Sequence, residues 1–420
     1  MPIVGLRDTS GFTTTGQRPE NWREALMLLY PNSGDLQKAP LTCLTSLMKT
    51  ESTDDAIFHW FTKRLDDRIV RLSVDITNVA TTWTINTVWK NNATAKICKA
   101  GDLLYSLQTQ EIVRVSADPT ADATLTVTRA VAGTAGTAIT VAAAGINSDW
   151  IVIGSAFEEG SLAPSGVSYD PIEKSNNTQI FRSSLELTRT AMKTRLRTGE
   201  QLKESKREAL EYIGVDMERA FWFGQKSATV LNGRPIRYTG GLLYFLNTFA
   251  AANVLTAPGN GIVDFAWFET MMEQAFRYGA SEKIAFCGNL ALMAVNQMVR
   301  KNSQYNIQYG VKEYGMNVAR LTTPFGELVL KPHPLFTQSQ GGITTGVAYQ
   351  GLTSWMTILD MSSIKYRYLK DSDLNYLTDQ QTPGQDSMKA GYIAECGLEI
   401  QFPEAHMIIK GLVGGTADAA

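Results

Sequence analysis

One long amphipathic helix is the feature that most constrains how this chain folds. Thr198 and Gln201 form a Thr-x-x-Gln capping box, a pattern that marks the start of a helix. Apolar positions then recur at helical spacing up to Gly224, a residue typical of helix ends. The face that they define contains Leu202, Lys206, Ala209, Leu210, Ile213, Met217, Ala220 and Phe221. Such a helix would be about 39 Å long, so we expect other elements to lie along it.

Short β-like segments precede this helix. Between residues 101 and 154, five apolar runs are separated by turn residues, and they read LLYSL, EIVRVS, TLTVTRAV, TAITV and DWIVIG. Five strands in so short a segment favour a small barrel or sandwich inserted into a larger unit. After the long helix, predicted helices at 264–278 and 290–301 alternate with strands but form no repeated βαβ units. This order predicts the α+β class.

The composition argues against several functional classes. The 420 residues include 39 basic and 41 acidic ones, a net charge of −2, so no general affinity for nucleic acid or membrane is indicated. No run approaches the ~20 apolar residues of a membrane span, and the N-terminus does not resemble a secretory signal. The cysteines and histidines are too scattered for a disulfide framework or a zinc site. They are Cys43, Cys98, Cys287, Cys396, His59, His333 and His406. We therefore predict no metal and no cofactor.

Two adjacent glutamates form the candidate catalytic pair. Glu158 and Glu159 lie in the segment GSAFEEGS, and paired carboxylates are the groups that acid–base hydrolysis requires. In an extended chain, however, neighbouring side chains point to opposite faces. No histidine, lysine or arginine is fixed nearby in the sequence. We therefore predict a structural or inter-subunit role for both residues and expect no catalytic residue.

Two segments of opposite charge are candidates for contacts between subunits. Eight basic residues face three acidic ones between Arg182 and Arg207, whereas seven acidic residues face one lysine between residues 371 and 404. Attraction between such segments on different copies would orient self-association. The candidate contacts are Arg195 and Arg197 on one side and Asp371 and Asp373 on the other. The alternative is that each segment is a solvated face.

Seven short motifs, in this order, resemble the SU-ten-like family of tailed-phage major capsid proteins. They are KAGDLLYSLQTQEIVRV, TLTVTRAVAGTAGTAI, IVIGSAFEEGS, NNTQIFRSSLELTRTA, RYTGGLLYFL, TPFGELVLKPHPLF and ECGLEIQFPEAH. The resemblance extends from about Phe58 to Lys410. It implies the Johnson fold, which is shared by tailed-phage and herpesvirus capsid proteins and by encapsulins.

This resemblance also implies a division of the chain. Residues 1–57 would be an N-terminal arm, and 58–197 an extended loop with an inserted β lobe at about 95–155. Residues 198–245 would belong to a peripheral domain whose spine helix spans 198–224. An axial domain would follow at 246–385, and residues 386–420 would return to the peripheral domain and end in a tail.

The function implied is that of a self-assembling shell protein. Pentamers and hexamers would form an icosahedral head that encloses double-stranded DNA without sequence specificity, after assembly in the host cytoplasm. Portal and decoration proteins are further implied partners, and scaffolding would be a separate protein, because MPIVGLRDTSGF enters the arm at once. Two alternatives remain: an encapsulin-like nanocompartment shell, and a hydrolase that uses Glu158 or Glu159.

Overall fold

The computed structural model separates the chain into two compact units. It describes residues 44–63, 67–88, 94–141, 148–162, 164, 166, 168, 171–194, 200–261, 264–301, 307–313, 316–337 and 351–413. The first unit contains the described residues up to Trp60 and from Glu173 onward, and the second is Phe61–Ile172. The chain thus leaves the first unit once, builds the second, and returns.

The described residues form six α-helices and 22 β-strands, numbered in chain order. The helices are α1 (Arg189–Lys193), α2 (Gln201–Phe223), α3 (Leu242–Phe249), α4 (Phe265–Phe276), α5 (Asn289–Lys301) and α6 (Pro334–Thr337). The strands are β1 (Lys49–Thr53), β2 (Ile57–Thr62), β3 (Ile69–Arg71), β4 (Thr82–Thr84), β5 (Asp102–Ser106), β6 (Ile112–Val115), β7 (Thr124–Thr128), β8 (Asp149–Ser155), β9 (Ile172–Asn177), β10 (Gln179–Thr188), β11 (Ser227–Leu231), β12 (Arg234–Tyr238), β13 (Val254–Thr256), β14 (Glu282–Cys287), β15 (Ile307–Glu313), β16 (Met316–Thr323), β17 (Gly326–Pro332), β18 (Met356–Leu359), β19 (Ile364–Leu369), β20 (Asn375–Leu377), β21 (Ser387–Ile400) and β22 (Met407–Lys410).

The second unit is a closed six-stranded barrel. Its strands follow the order β3-β8-β5-β6-β7-β4. Backbone hydrogen bonds join the two outer strands just beyond their ends, from Ser73 N to Thr84 O at 2.9 Å and from Asn86 N to Arg71 O at 2.8 Å. Closure leaves the barrel without an open sheet edge. Strands β3 and β4 precede the predicted range of the lobe, about 95–155, yet they complete this barrel.

Alternating side chains fill the barrel. The strands bury every second residue, as expected when one face of a sheet is covered. The rings of Trp83 and Trp150 lie 4.6 Å apart at the centre of this core. A buried ion pair is also present, because both guanidinium nitrogens Nε and Nη2 of Arg129 donate to Glu111 at 2.6 Å. Backbone amides of Ala130 and Thr137 supply further donors to Glu111.

The strand predicted for TAITV is wrong. Ile139 makes only an isolated bridge with Ile76. Side-chain acceptors bind the backbone donors on either side of it: Thr137 N donates to Glu111 Oε2 at 3.1 Å, and Val141 N donates to Asp75 Oδ1 at 2.7 Å. These side-chain acceptors take the place of strand partners for the two amides, so pairing stops after one residue.

A five-stranded sheet packs on α2 in the first unit. The strands follow the order β1-β19-β21-β10, and β20 also pairs with β21. The predicted helix is confirmed, and Ala209, Ile213, Met217 and Phe221 are buried as expected. Leu210, in contrast, is 42% exposed, so the predicted face was too wide. The helix begins at Gln201, and the predicted cap at Thr198 lies outside the described residues.

A seven-stranded sheet is the second large sheet of the first unit. Its order is β13-β22-β18-β14-β17-β16-β15, and α4 and α5, which confirm the predicted helices at 264–278 and 290–301, pack against it. Two buried polar side chains form hydrogen bonds with the backbone of segments that connect its strands and helices. Lys283 Nζ donates to three carbonyls at 2.6–2.7 Å, and His406 accepts from Asp360 N at 3.1 Å. Because α-helices pack on both large sheets of the first unit, without repeated βαβ units, the predicted α+β class is confirmed.

Candidate assembly surfaces

The structure does not bring Glu158 and Glu159 together with an acid–base partner. Both are exposed and follow β8. Glu158 lines a concave surface of about 450 Å³ in the second unit, beside Arg114, Asp118 and Phe157, whereas Glu159 does not line it. In the described part of the chain, no group of three or more His, Cys, Asp or Glu side chains could hold a metal ion. Contact of Glu158 or Glu159 with another subunit stays a prediction.

The basic and acidic segments lie partly side by side in one subunit. Strands β10 and β21 are antiparallel neighbours, with Thr188 opposite Ser387. Arg189 Nε lies 2.9 Å from Asp386 Oδ1, and Lys389 Nζ lies 3.5 Å from Glu186 Oε2. Part of the charge that we assigned to contacts between copies is therefore neutralised within the subunit.

Of the four candidate contact residues in the basic and acidic segments, two can be located. Arg195 and Arg197 lie outside the described residues. Asp371 and Asp373 are exposed near β20, and Asp373 Oδ1 accepts a hydrogen bond from the Tyr366 hydroxyl at 2.9 Å. Contact of any of the four with another copy remains a prediction.

A fully buried carboxylate on α2 joins three parts of the first unit. Glu218 accepts hydrogen bonds from Leu44 N at 2.7 Å and Thr45 N at 3.0 Å, at the start of the described chain. His333 Nε2, beyond β17, lies 3.0 Å from Glu218 Oε1, and the indole of Trp222 lies 3.3 Å from the same oxygen. Because a carboxylate only accepts, His333 Nε2 carries the proton.

Hydrogen bonding keeps this buried carboxylate ionised. Burial raises the pKa of Glu218, but hydrogen bonds from His333, Thr45 and Leu44 outweigh burial and hold the pKa below its ordinary value. The sequence analysis missed Glu218. The available signal was the position of one acidic residue between Met217 and Phe221, on a face of the helix that is otherwise apolar. An acidic side chain on a buried face requires hydrogen-bond partners.

An exposed hairpin directly follows α2, and the sequence analysis missed it too. Strands β11 and β12 pair only with each other, joined by Asn232 and Gly233 at φ angles of 51° and 73°. Asn-Gly between β-branched residues is the usual signal for such a turn. Val230 is 72% exposed and Leu231 58% exposed. Large exposed apolar side chains of this kind mark interaction surfaces.

The described chain thus combines a long helix packed on one sheet, a second, seven-stranded sheet and an inserted barrel. The family model described as SU10 major capsid protein matches residues 8–413, and the chain belongs to that family. The predicted resemblance to this family is thereby confirmed. The protein is a phage major capsid protein that forms the capsid shell of the virion.

Individual relatives agree with this assignment. A major capsid protein of Pseudomonas phage PaMx41 is 25% identical over 394 residues, which cover 89% of this chain and 88% of that protein. Among solved structures, a capsid of a native GTA particle is 9% identical, with a TM-score of 0.46, and covers 98% of this chain and 100% of that one. The SrpI encapsulin of Synechococcus elongatus PCC 7942 is 11% identical, with a TM-score of 0.41, and covers 60% and 80%. At these TM-scores the two structural matches add nothing to the family assignment.

No described helix is long and apolar enough to cross a membrane.

Proposed function

We propose that this chain assembles as pentamers and hexamers into an icosahedral head that encloses double-stranded DNA. The observation that carries the proposal is the family match over residues 8–413. An inserted barrel and an exposed hairpin supply surfaces beyond the compact core of the first unit, and many weak contacts add through multivalency. Closed symmetry lets every such surface find a partner.

The remaining partners follow from the same proposal. DNA would be held on the inner face without sequence specificity, in line with a net charge of −2. Portal, decoration and separate scaffolding proteins would join the head, and assembly would take place in the host cytoplasm. An encapsulin-like nanocompartment is the structural alternative. Extraction of the particle contents distinguishes the two, because nuclease-protected DNA supports a phage head and an enclosed enzyme supports a nanocompartment.

A hydrolase is the alternative of another class, and a double substitution tests it. Glu158→Gln with Glu159→Gln should leave the melting temperature unchanged, because both side chains are exposed. Any defect should appear in the sedimentation of assembled particles, with the wild type as control. Suppose that the wild type hydrolyses glycosides or esters, and that the double variant assembles normally but has lost this activity. That result would establish a hydrolase and contradict the structural or inter-subunit role that we predict for the two glutamates.

A further inference from the structure

The hairpin β11–β12 is built to project from the subunit. Its base is fixed, because Asn177 Nδ2 donates to Ser227 O at 3.0 Å and to Tyr238 O at 3.4 Å, and Thr239 N donates to Gln179 Oε1 at 3.1 Å. Its strands, by contrast, are exposed or half-buried throughout. An isolated two-stranded hairpin is marginally stable in water. Because the base of this hairpin is fixed while its strands are exposed, we expect the strands to be a binding surface.

The hairpin is apolar and basic. Val230 and Leu231 are exposed at its tip, and β12 carries Arg234 and Arg237. Neither arginine forms an ion pair with any residue that the structure describes. A partner for this ribbon therefore needs apolar contacts together with carboxylates.

One surface of the same chain has the complementary character. The first half of the acidic segment, Asp371–Asp386, contains β20 and exposes Leu374 (43%) and Leu377 (37%). Asp371 and Asp379 are also exposed, and neither is in an ion pair within the described ranges. Apolar side chains flanked by unpaired carboxylates match apolar side chains flanked by unpaired arginines.

The two surfaces lie at opposite ends of α2. The acidic segment approaches the start of the helix, where Lys206 Nζ lies 4.8 Å from the centre of the Tyr376 ring. The hairpin begins just after the helix ends at Phe223. The 18 steps along the chain from Lys206 to Gly224 span about 27 Å at a rise of 1.5 Å per residue. Separated in this way, the surfaces are placed to meet across two copies and not within one.

We propose that the hairpin of one subunit binds the acidic segment of a second copy. Two different patches of one chain then form a head-to-tail contact, the kind that closes into rings when the rotation between copies is right. This inference rests on the proposed self-assembly and identifies one contact that drives it. It keeps Asp371 as a contact residue and assigns the basic partner to Arg234 and Arg237.

Charge reversal tests the contact in trans. Arg234→Glu with Arg237→Glu makes hairpin and acidic segment both negative, and Asp371→Lys with Asp379→Lys places a lysine at each of the two unpaired acidic positions that would face the hairpin arginines. Each double variant alone should assemble at least about tenfold more slowly than the wild type in 50 mM salt, measured by light scattering, because like charges then face each other. An equimolar mixture should regain part of the assembly rate, because each hairpin that meets the other variant finds an oppositely charged segment.

Controls separate this contact from folding and from the proposed function. Both variants should match the wild type in circular dichroism and melting, Arg219→Glu on α2 should assemble normally, and Asp371→Asn with Asp379→Asn should show an intermediate defect. Normal assembly of the reversed variants, or defects that mixing does not relieve, would overturn the contact while leaving self-assembly intact. If the wild type itself forms no particles, the proposed function fails, and this contact fails with it.

Discussion

Ile213→Asp is expected to abolish folding of the subunit. Ile213 is 1% exposed and packs in the core between α2 and the five-stranded sheet. The substitution removes an apolar side chain and places an unpaired carboxylate in its position, at a cost of several kcal/mol. A domain is stable by only about 5–15 kcal/mol, so most of the variant should be insoluble or should lack a cooperative melting transition.

Tyr212→Asp is the matched control for this prediction. Tyr212 precedes Ile213 on the same helix but is 67% exposed, so the same new charge remains in water. The control should be soluble and melt within a few degrees of the wild type, as should Glu211→Gln. Similar yields and melting temperatures for Ile213→Asp and Tyr212→Asp would mean that we have assigned the wrong face of α2 to the core.

Glu218→Ala is expected to have an effect of similar size for a different reason. It leaves the amides of Leu44 and Thr45, the indole of Trp222 and His333 Nε2 without their acceptor. Loss of one member of a buried charged cluster costs about 3–5 kcal/mol. Amide exchange at Leu44 and Thr45 should accelerate more than exchange in the barrel. Uniform acceleration across both units would show that Glu218 does not act locally.

The same residue predicts how stability changes in acid. The pKa of Glu218 is lowered in the folded state, so its contribution is present above about pH 4.5, the ordinary value for glutamate, and is lost as pH falls through the folded pKa. Burial lowers the pKa of His406 to about 3, so that residue destabilises the fold progressively from about pH 6.5 down to 3. Glu218→Gln should flatten the loss of stability below pH 4.5 and leave the His406 window unchanged. Parallel denaturation profiles for variant and wild type would contradict this.

Elements with a strong local period could be predicted from the sequence. The helix α2 follows from apolar spacing, and the barrel strands follow from alternation between turn residues. The predicted strand TAITV failed because its backbone donors bind Glu111 and Asp75, contacts that come from distant parts of the chain. No local pattern contains that information.

Contacts over long sequence distances explain the rest of what was missed. Glu218 binds residues 174 and 115 positions away, and nothing in its neighbourhood in the sequence identifies them. The two charged segments could be recognised in the sequence. The pairing of β10 with β21, which places Arg189 beside Asp386, could not be predicted from it. The Asn232-Gly233 turn, by contrast, was recognisable from the sequence alone. It joins the two strands of the hairpin that we propose for the contact between copies.

Electron microscopy of the purified full-length protein tests self-assembly most directly. The wild type, expressed alone or with the other head proteins of its phage and imaged in low salt, should form closed shells or capsomers with five-fold and six-fold symmetry. Ile213→Asp should yield neither, and Tyr212→Asp should retain folded subunits. A wild-type preparation that contains only monomers or a single small oligomer, under every concentration and salt condition and with the partner proteins present, would contradict the account.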